Sequence, residues 1–151
     1  MTIKFVHTNI IAKDWEKLAQ FYIKVFGCEP VYPERNLNGK WIDQVTNLEG
    51  VHIRGIHLRL PGYIDGPTLE IFEYNKKIKE NELAAINRPG FAHIAFLVDD
   101  VEFYLNKTLE HGGSRLGELV EKEIEGIGVL TVVYARDPEE NIIEIQNWKK
   151  R

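Results

Sequence analysis

The chain has one cysteine, Cys28, so it can form no internal disulfide, as expected for a reducing compartment. No apolar run approaches the ~18 residues of a membrane helix. The opening Met-Thr-Ile-Lys-Phe reads as a strand rather than a charged segment leading into an apolar one. A soluble, cytoplasmic protein without a membrane partner is expected. Basic excess is missing too: 19 Lys and Arg stand against 23 Asp and Glu, a formal net charge of −4, with no basic stripe. Nucleic acid is therefore not an expected partner. Low-complexity segments are absent. The 151 residues suit a single domain, 1–151, and are too few for two comfortable independent ones.

What is present is a near-repeat. Phe-Val-His at 5–7 lies over Phe-Ala-His at 91–93, an offset of 93 − 7 = 86, and the same offset sets Asp14 on Asp100 and Gly27 on Gly113. Later, Thr-Leu-Glu-Ile-Phe (68–72) matches Ile-Ile-Glu-Ile-Gln (142–146) at 144 − 70 = 74, so the first half holds 86 − 74 = 12 extra residues. Each copy carries one imidazole and one carboxylate on strand-like segments: His7 and Glu70, then His93 and Glu144. A two-fold arrangement of the copies can bring four such side chains to one point, which is a metal-site pattern.

Periodicity gives each half the order βαβββ. Lys4 to Ile11 alternates as a strand; Asp14 is placed to cap a helix carrying Trp15, Leu18, Ala19, Tyr22, Val25 and Phe26, which Gly27 ends. Strands are expected over Trp41–Thr46, Ile53–Leu60 and Thr68–Tyr74. Residues 75–89 read as a partly helical connector around Leu83-Ala84-Ala85-Ile86. The second half, about 90–148, repeats the order: a strand over Phe91–Val98, then a helix capped by Asp100 with Val101, Tyr104, Leu105, Thr108 and Leu109 on one side. Strands over Ser114–Val120, Ile127–Ala135 and Asn141–Trp148 follow. The fold class is α+β: two βαβββ modules, about 3–74 and 90–148, forming a curled mixed sheet around a cleft. By parity, the four candidate ligands lie on the face opposite the aliphatic positions that the helices cover (Leu69, Ile71, Ile143 and Ile145 among them), with Phe5, Phe72, Tyr74, Phe91 and Trp148 beside them.

Val-His-Thr-Asn-Ile (6–10), the Phe-Tyr…Phe-Gly helix end (21–27), Gly-Phe-Ala-His-Ile-Ala-Phe-Leu-Val-Asp-Asp (90–100) and Ala-Arg-Asp-Pro-Glu-Glu-Asn-Ile-Ile-Glu-Ile (135–145) together resemble the vicinal oxygen chelate superfamily. That superfamily includes glyoxalase I, methylmalonyl-CoA epimerase, extradiol dioxygenases and the fosfomycin and bleomycin resistance proteins. The resemblance spans essentially the whole chain. It implies that His7, Glu70, His93 and Glu144 are the metal ligands, and that the protein is a homodimer acting on a small molecule. Glu140 departs from the family's turn, which usually has glycine there; Asn141 is expected to take the left-handed conformation in its place.

Two imidazoles and two carboxylates suit one divalent ion per chain, Zn, Ni, Co, Mn or Fe, with one or two positions open. Such an ion can hold neighbouring substrate oxygens and stabilise an enolate, so proton abstraction beside a carbonyl is the expected reaction class. Family analogy makes Glu144 the catalytic base with Glu70 as its counterpart, and Glu49 resembles the loop acid of the epimerases. A surface role for Glu49 is the plainer alternative. For His52, His57 and His111 a structural or exposed role is expected, although His57 and Arg59 share a parity that would let them meet an anionic substrate. Cys28 is expected to be an inert thiol.

The expected enzyme is a lyase or isomerase of the lactoylglutathione lyase or epimerase type. Ile11 stands where the glutathione-using bacterial enzymes carry arginine, which argues against glutathione and leaves another thioester or a 2-oxo compound. An extradiol Fe(II) dioxygenase is the alternative, although Glu70 would fill a position that catechol or O2 needs. A bleomycin-type binding protein is a further alternative, disfavoured because those lack the ligands.

Overall fold

The computed structural model describes residues 2–78 and 83–150. Two compact units divide the chain at Lys79 and Glu80. In the first, the order is β1 (His7–Ile11), α1 (Trp15–Phe26), β2 (Glu29–Asn38), α2 (Lys40–Thr46), β3 (His52–Arg59) and β4 (Thr68–Tyr74). The sheet runs β1-β4-β3-β2, with β1 parallel to β4 and the other pairs antiparallel.

Helix α1 forms where its apolar spacing places it. The Asp14 carboxylate accepts from the Lys17 backbone N–H at 3.1 Å, and Gly27, at φ 69°, closes the last turn by donating to the Ile23 carbonyl. Its face of Trp15, Leu18, Ala19, Tyr22 and Val25 packs on β3 and β4, where Leu58, Leu69 and Ile71 are fully buried. Burial of each such aliphatic side chain contributes about 1.5–3 kcal/mol. The opposite face of the same strands carries His57, Thr68 and Glu70 beside the buried Ile53 and Phe72.

The expected strand over Trp41–Thr46 is instead helix α2, and the strand that belongs in the module lies earlier, as β2. The reason is local. Gly39 at φ 94° turns the chain in and Asn47 at φ 55° turns it out. Between them Asp43 reaches forward to accept from the Gly50 and Val51 N–H groups, both at 2.9 Å. Ile42 then drops into a small core with Val51, Ile53 and Phe72. In residues 83–86 the expected connector helix is not formed, as Leu83 to Ala85 are irregular and Ile86 begins a turn. Its preceding stretch, 79–82, lies outside the described residues.

The second unit holds β5 (His93–Leu97), α3 (Val101–Glu110), β6 (Ser114–Arg115), β7 (Val120–Ile124), β8 (Gly128–Arg136) and β9 (Ile142–Lys149). Its sheet runs β5-β9-β8-β6, with β7 also on β8; β5 is parallel to β9 and the rest are antiparallel. Asp100 caps α3 by accepting from the Phe103 N–H at 2.9 Å. Val101, Leu105 and Thr108 are buried towards β8 and β9, whereas Leu109 is 42 % exposed and falls off the core stripe assigned to it. The single strand expected over Ser114–Val120 is split into β6 and β7. Leu116 and Gly117 both donate to the Tyr134 carbonyl, so two residues oppose one and the ladder is interrupted there.

In the β8–β9 turn, the left-handed residue is Glu140 itself, at φ 71°, not Asn141. The buried Asp137 explains this: its carboxylate accepts from the Glu139 and Asn141 N–H groups and from the Asn141 side-chain amide at 2.8–3.0 Å, which fixes the residues on both sides of Glu140.

The two units repeat one another in register. Asn38 and Ile124 end β2 and β7 at the offset 124 − 38 = 86; His57 and Tyr134 correspond at 134 − 57 = 77, and Glu70 and Glu144 at 74. Nine of the twelve extra residues therefore lie between β1 and β3, chiefly in the connection that carries α2, and three in the β3–β4 loop.

Candidate metal centre

In the first unit, sheet register alone assembles the cluster. His7 lies beside Thr68 and Asn9 beside Glu70 on the parallel β1–β4 pair, and His57 lies directly across from Glu70 on the antiparallel β3–β4 pair. Residues paired across a sheet, and those two apart on one strand, point to the same face. His7, Asn9, His57, Thr68 and Glu70 consequently share the face that α1 leaves open.

Glu70 is held at both oxygens. The Asn9 side-chain amide donates to Oε1 at 2.8 Å, and His57 Nε2 stands 2.7 Å from Oε2. His7 Nε2 is 3.7 Å from Oε1. The other ring nitrogen of His57, Nδ1, is 2.9 Å from the Thr68 hydroxyl, and the His7 and His57 rings meet edge to face at 5.4 Å between centroids. One donor atom each from His7, His57 and Glu70 can be chosen so that all lie within 4.8 Å of one another. His57 and Glu70 are the sheltered members, with side chains 17 % and 12 % exposed, whereas His7 is 40 % exposed.

Burial holds the His57 imidazole below the usual histidine range; the Glu70 charge pulls the other way, and Arg35 and His7 add to the lowering. Burial, together with the Glu70 charge, pushes the Tyr74 phenol up.

The second unit builds the counterpart with fewer polar groups. His93 Nε2 lies 3.0 Å from Glu144 Oε2, and the Tyr134 hydroxyl donates to the same oxygen at 3.2 Å. The His93 and Tyr134 rings are 5.2 Å apart. Tyr134 lies across β8–β9 from Glu144, as His57 does from Glu70. Burial first, then the Glu144 charge and the hydrogen bond, push the Tyr134 phenol up, so it remains a hydrogen-bond donor at neutral pH.

Of the residues expected at the site, His7 is thus brought to Glu70 and His93 to Glu144, one pair in each unit. Glu49 sits in the exposed turn before β3, its carbonyl accepting from Lys76 beyond the end of β4. It lies past Tyr74, itself four residues and so about 13 Å along the strand from Glu70. His57, expected in a structural or exposed role or beside Arg59 against an anionic substrate, is a further residue that the structure brings to Glu70. Its parity was legible, but the strand register that sets it against Glu70 was not. Of the aromatic set, Phe72 is buried and Tyr74 and Trp148 are half-buried, while Phe5 and Phe91 are exposed. Cys28 is buried, and burial pushes its thiol up to about 12, in keeping with an inert cysteine.

An α+β chain of two repeated modules, each offering an imidazole–carboxylate pair from corresponding strands, defines a class of protein. The chain belongs to the Glyoxalase/Bleomycin resistance protein/Dioxygenase superfamily, whose family model matches residues 4–145. Among solved structures it is similar to a glyoxalase family protein from Bacillus cereus, with a TM-score of 0.77 and 19% identity over 98% of this chain and 94% of that one. It is also similar to FosX, a genomically encoded fosfomycin resistance protein from Listeria monocytogenes, at a TM-score of 0.61 and 18% identity over 99% of this chain and 96% of that one. A glyoxalase/bleomycin resistance protein/dioxygenase domain from Frankia sp. aligns at 0.59 and 16%, covering 99% and 93%. No curated protein matches the sequence.

Proposed function

We propose that this protein is a divalent-metal-dependent lyase or isomerase of the glyoxalase and epimerase type, acting by proton transfer beside a carbonyl of a small thioester or 2-oxo compound. His7, Glu70, His93 and Glu144 are the ligands in this proposal, and the protein works in the cytoplasm as a homodimer. The observation that supports it is the repeated pair: one imidazole nitrogen against one sheltered carboxylate, at matching register positions in both units.

The donor set fits the ion. Two imidazoles and two carboxylates suit Zn, Ni, Co, Mn or Fe(II), and the two negative charges offset the ion's own. Each carboxylate also has a second protein donor that orients it: Asn9 and His57 for Glu70, Tyr134 for Glu144. When bound, the ion would act as a Lewis acid, polarising the substrate carbonyl and stabilising negative charge as the adjacent proton leaves.

The protein's own part is to move that proton. Glu70 has a partner on each oxygen, whereas both partners of Glu144 fall on Oε2, which leaves its other oxygen available. This difference supports Glu144 as the general base and Glu70 as its fixed counterpart in the proposal. Glu49, exposed and beyond the end of the strand, is given no part in the transfer.

Glu144→Gln tests the assignment. The amide keeps an oxygen that can coordinate but cannot take a proton, so metal is retained while turnover falls about 10²–10⁴-fold. Wild-type protein should also wash solvent deuterium into the α-position of its substrate, without O2 or a redox cofactor. Full activity in the variant would remove Glu144 as the base. Sedimentation showing only a 17.5 kDa species at micromolar concentration would remove the dimer.

A further inference from the structure

We infer that His57 is itself a metal ligand, so that the first unit alone presents a three-donor face, His7 Nε2, His57 Nε2 and a Glu70 carboxylate oxygen, to a divalent transition-metal ion. The inference shares His7 and Glu70 with the proposed function and rests on their assignment there; it adds a protein donor that the repeat does not provide.

Geometry is the first support. Metal–nitrogen and metal–oxygen bonds of about 2.0–2.2 Å place two donors on one ion roughly 3–4 Å apart. One donor atom from each residue lies within 4.8 Å of the other two, and His7 Nε2 stands 3.7 Å from Glu70 Oε1 while His57 Nε2 stands 2.7 Å from Glu70 Oε2. Small side-chain rotations bring them onto one ion. All three come from adjacent strands of one sheet, so the backbone need not move.

The second support is the backing of each ligand. A metal-bound histidine usually donates its other ring N–H to a nearby oxygen, which fixes the tautomer and orients the ring. His57 has that partner in the Thr68 hydroxyl, 2.9 Å from Nδ1. A hydroxyl both donates and accepts. Thr68 can therefore donate to Nδ1 while Nε2–H faces Glu70, and accept from Nδ1–H once Nε2 turns its lone pair to an ion. Asn9 steadies Glu70 from the other side.

Asymmetry between the units is the third. Where the first unit has Asn9, His57 and Thr68, the register of the second places Ala95, Tyr134 and Ile142. If the residue across from the glutamate served only to hold a carboxylate oxygen, the phenol of Tyr134 shows that an imidazole is not required. The imidazole and the hydroxyl behind it occur together in the first unit and are missing together from the second. Coordination by His57 accounts for that pairing.

Cobalt(II) titration of the full chain tests the inference with two measurements, dissociation constant by chelator competition and the number of hyperfine-shifted imidazole N–H resonances in protein labelled with nitrogen-15 histidine. Wild type should bind one Co(II) and show three such resonances, from His7, His57 and His93. Two resonances in the wild type, without His57, would overturn the inference whatever the behaviour of any variant. His57→Gln keeps a donor for Glu70, so it should fold with an unchanged far-UV spectrum, lose one resonance and bind Co(II) at least ~100-fold more weakly. Unchanged affinity in His57→Gln, or weaker binding with the resonance count of the wild type, would also overturn it. His7→Ala separates the two levels: if it loses Co(II) while His57→Gln does not, His57 alone falls and the four-ligand set stands. If His7→Ala binds like the wild type, both fall.

Discussion

His57 and Tyr134 occupy the same place in the two halves of the chain, each directly across an antiparallel strand pair from that half's glutamate, His57 Nε2 2.7 Å from Glu70 and the Tyr134 hydroxyl 3.2 Å from Glu144. One repeated backbone thus presents a potential ligand on one side and a plain hydrogen-bond donor on the other. The difference breaks the symmetry of the repeat. Glu70 has a partner on each oxygen, Asn9 and His57, whereas both partners of Glu144, His93 and Tyr134, fall on Oε2.

The cluster depends on a residue with no side chain. A Cβ on Gly55 would lie 2.1 Å from the Ile71 carbonyl oxygen and 2.7 Å from Cδ1 of Phe72, whose ring meets that of His57 edge to face at 6.0 Å. Gly55→Ala should therefore force β3 away from β4 and cost about 1–3 kcal/mol, the usual range for overpacking. Urea unfolding measures it. Gly117→Ala, where an added Cβ meets nothing within 4 Å, is the control and should be close to neutral.

Much of this fold was legible because its signals are local. The caps Asp14 and Asp100 and the αL Gly27 mark helix ends within one turn of the residues they bound, and β4 and β9 carry the alternation that sets Glu70 and Glu144 against the helix-covered face. Helix α2 resembles a strand in sequence because Trp41, Ile42 and Val45 are as apolar as a short strand. Their spacing is helical, and the Asp43 bonds to residues 50 and 51 that fix it are not a periodic signal. His57 is legible only in part, because its parity with Arg59 suggests a substrate contact and not a place beside Glu70. Its repeat partner is a tyrosine, so comparison of the halves was silent, and only the β3–β4 register brings it to Glu70. The pairing of His7 with Glu70 and of His93 with Glu144 was readable because both members recur.

Asp43 makes part of the α2 structure sensitive to acid. Its carboxylate sits below the usual range, chiefly because the Gly50 N–H and then the Val51 N–H donate to the charged form. A carboxyl held lower in the folded chain than in the unfolded one binds its proton more weakly when folded. Its contribution is therefore fully present above the unfolded value of about 3.8 and is lost as pH falls through the lower folded value. Asp43→Asn should lower the melting temperature at pH 7 and make the decline below pH 4 shallower than in the wild type. Parallel melting curves from pH 2 to 7 check this, and curves displaced by a constant amount would count against it.

Tyr134 should behave as a supporting donor and not as a ligand. Tyr134→Phe removes only the hydroxyl that donates to Glu144 Oε2, leaving His93 against the same oxygen at 3.0 Å. Because the ring is only partly buried and one hydrogen bond is lost, stability should change by about 1 kcal/mol or less. Removing such an orienting donor typically weakens metal binding about 10–100-fold. Cobalt(II) affinity in Tyr134→Phe should fall within that range while the number of hyperfine-shifted imidazole resonances stays as in the wild type. That combination separates it from His57→Gln, in which affinity and count fall together. If Tyr134→Phe binds Co(II) like the wild type, its bond to Glu144 plays no part in holding the ion, and the two-oxygen restraint on Glu70 has no working counterpart in the second half.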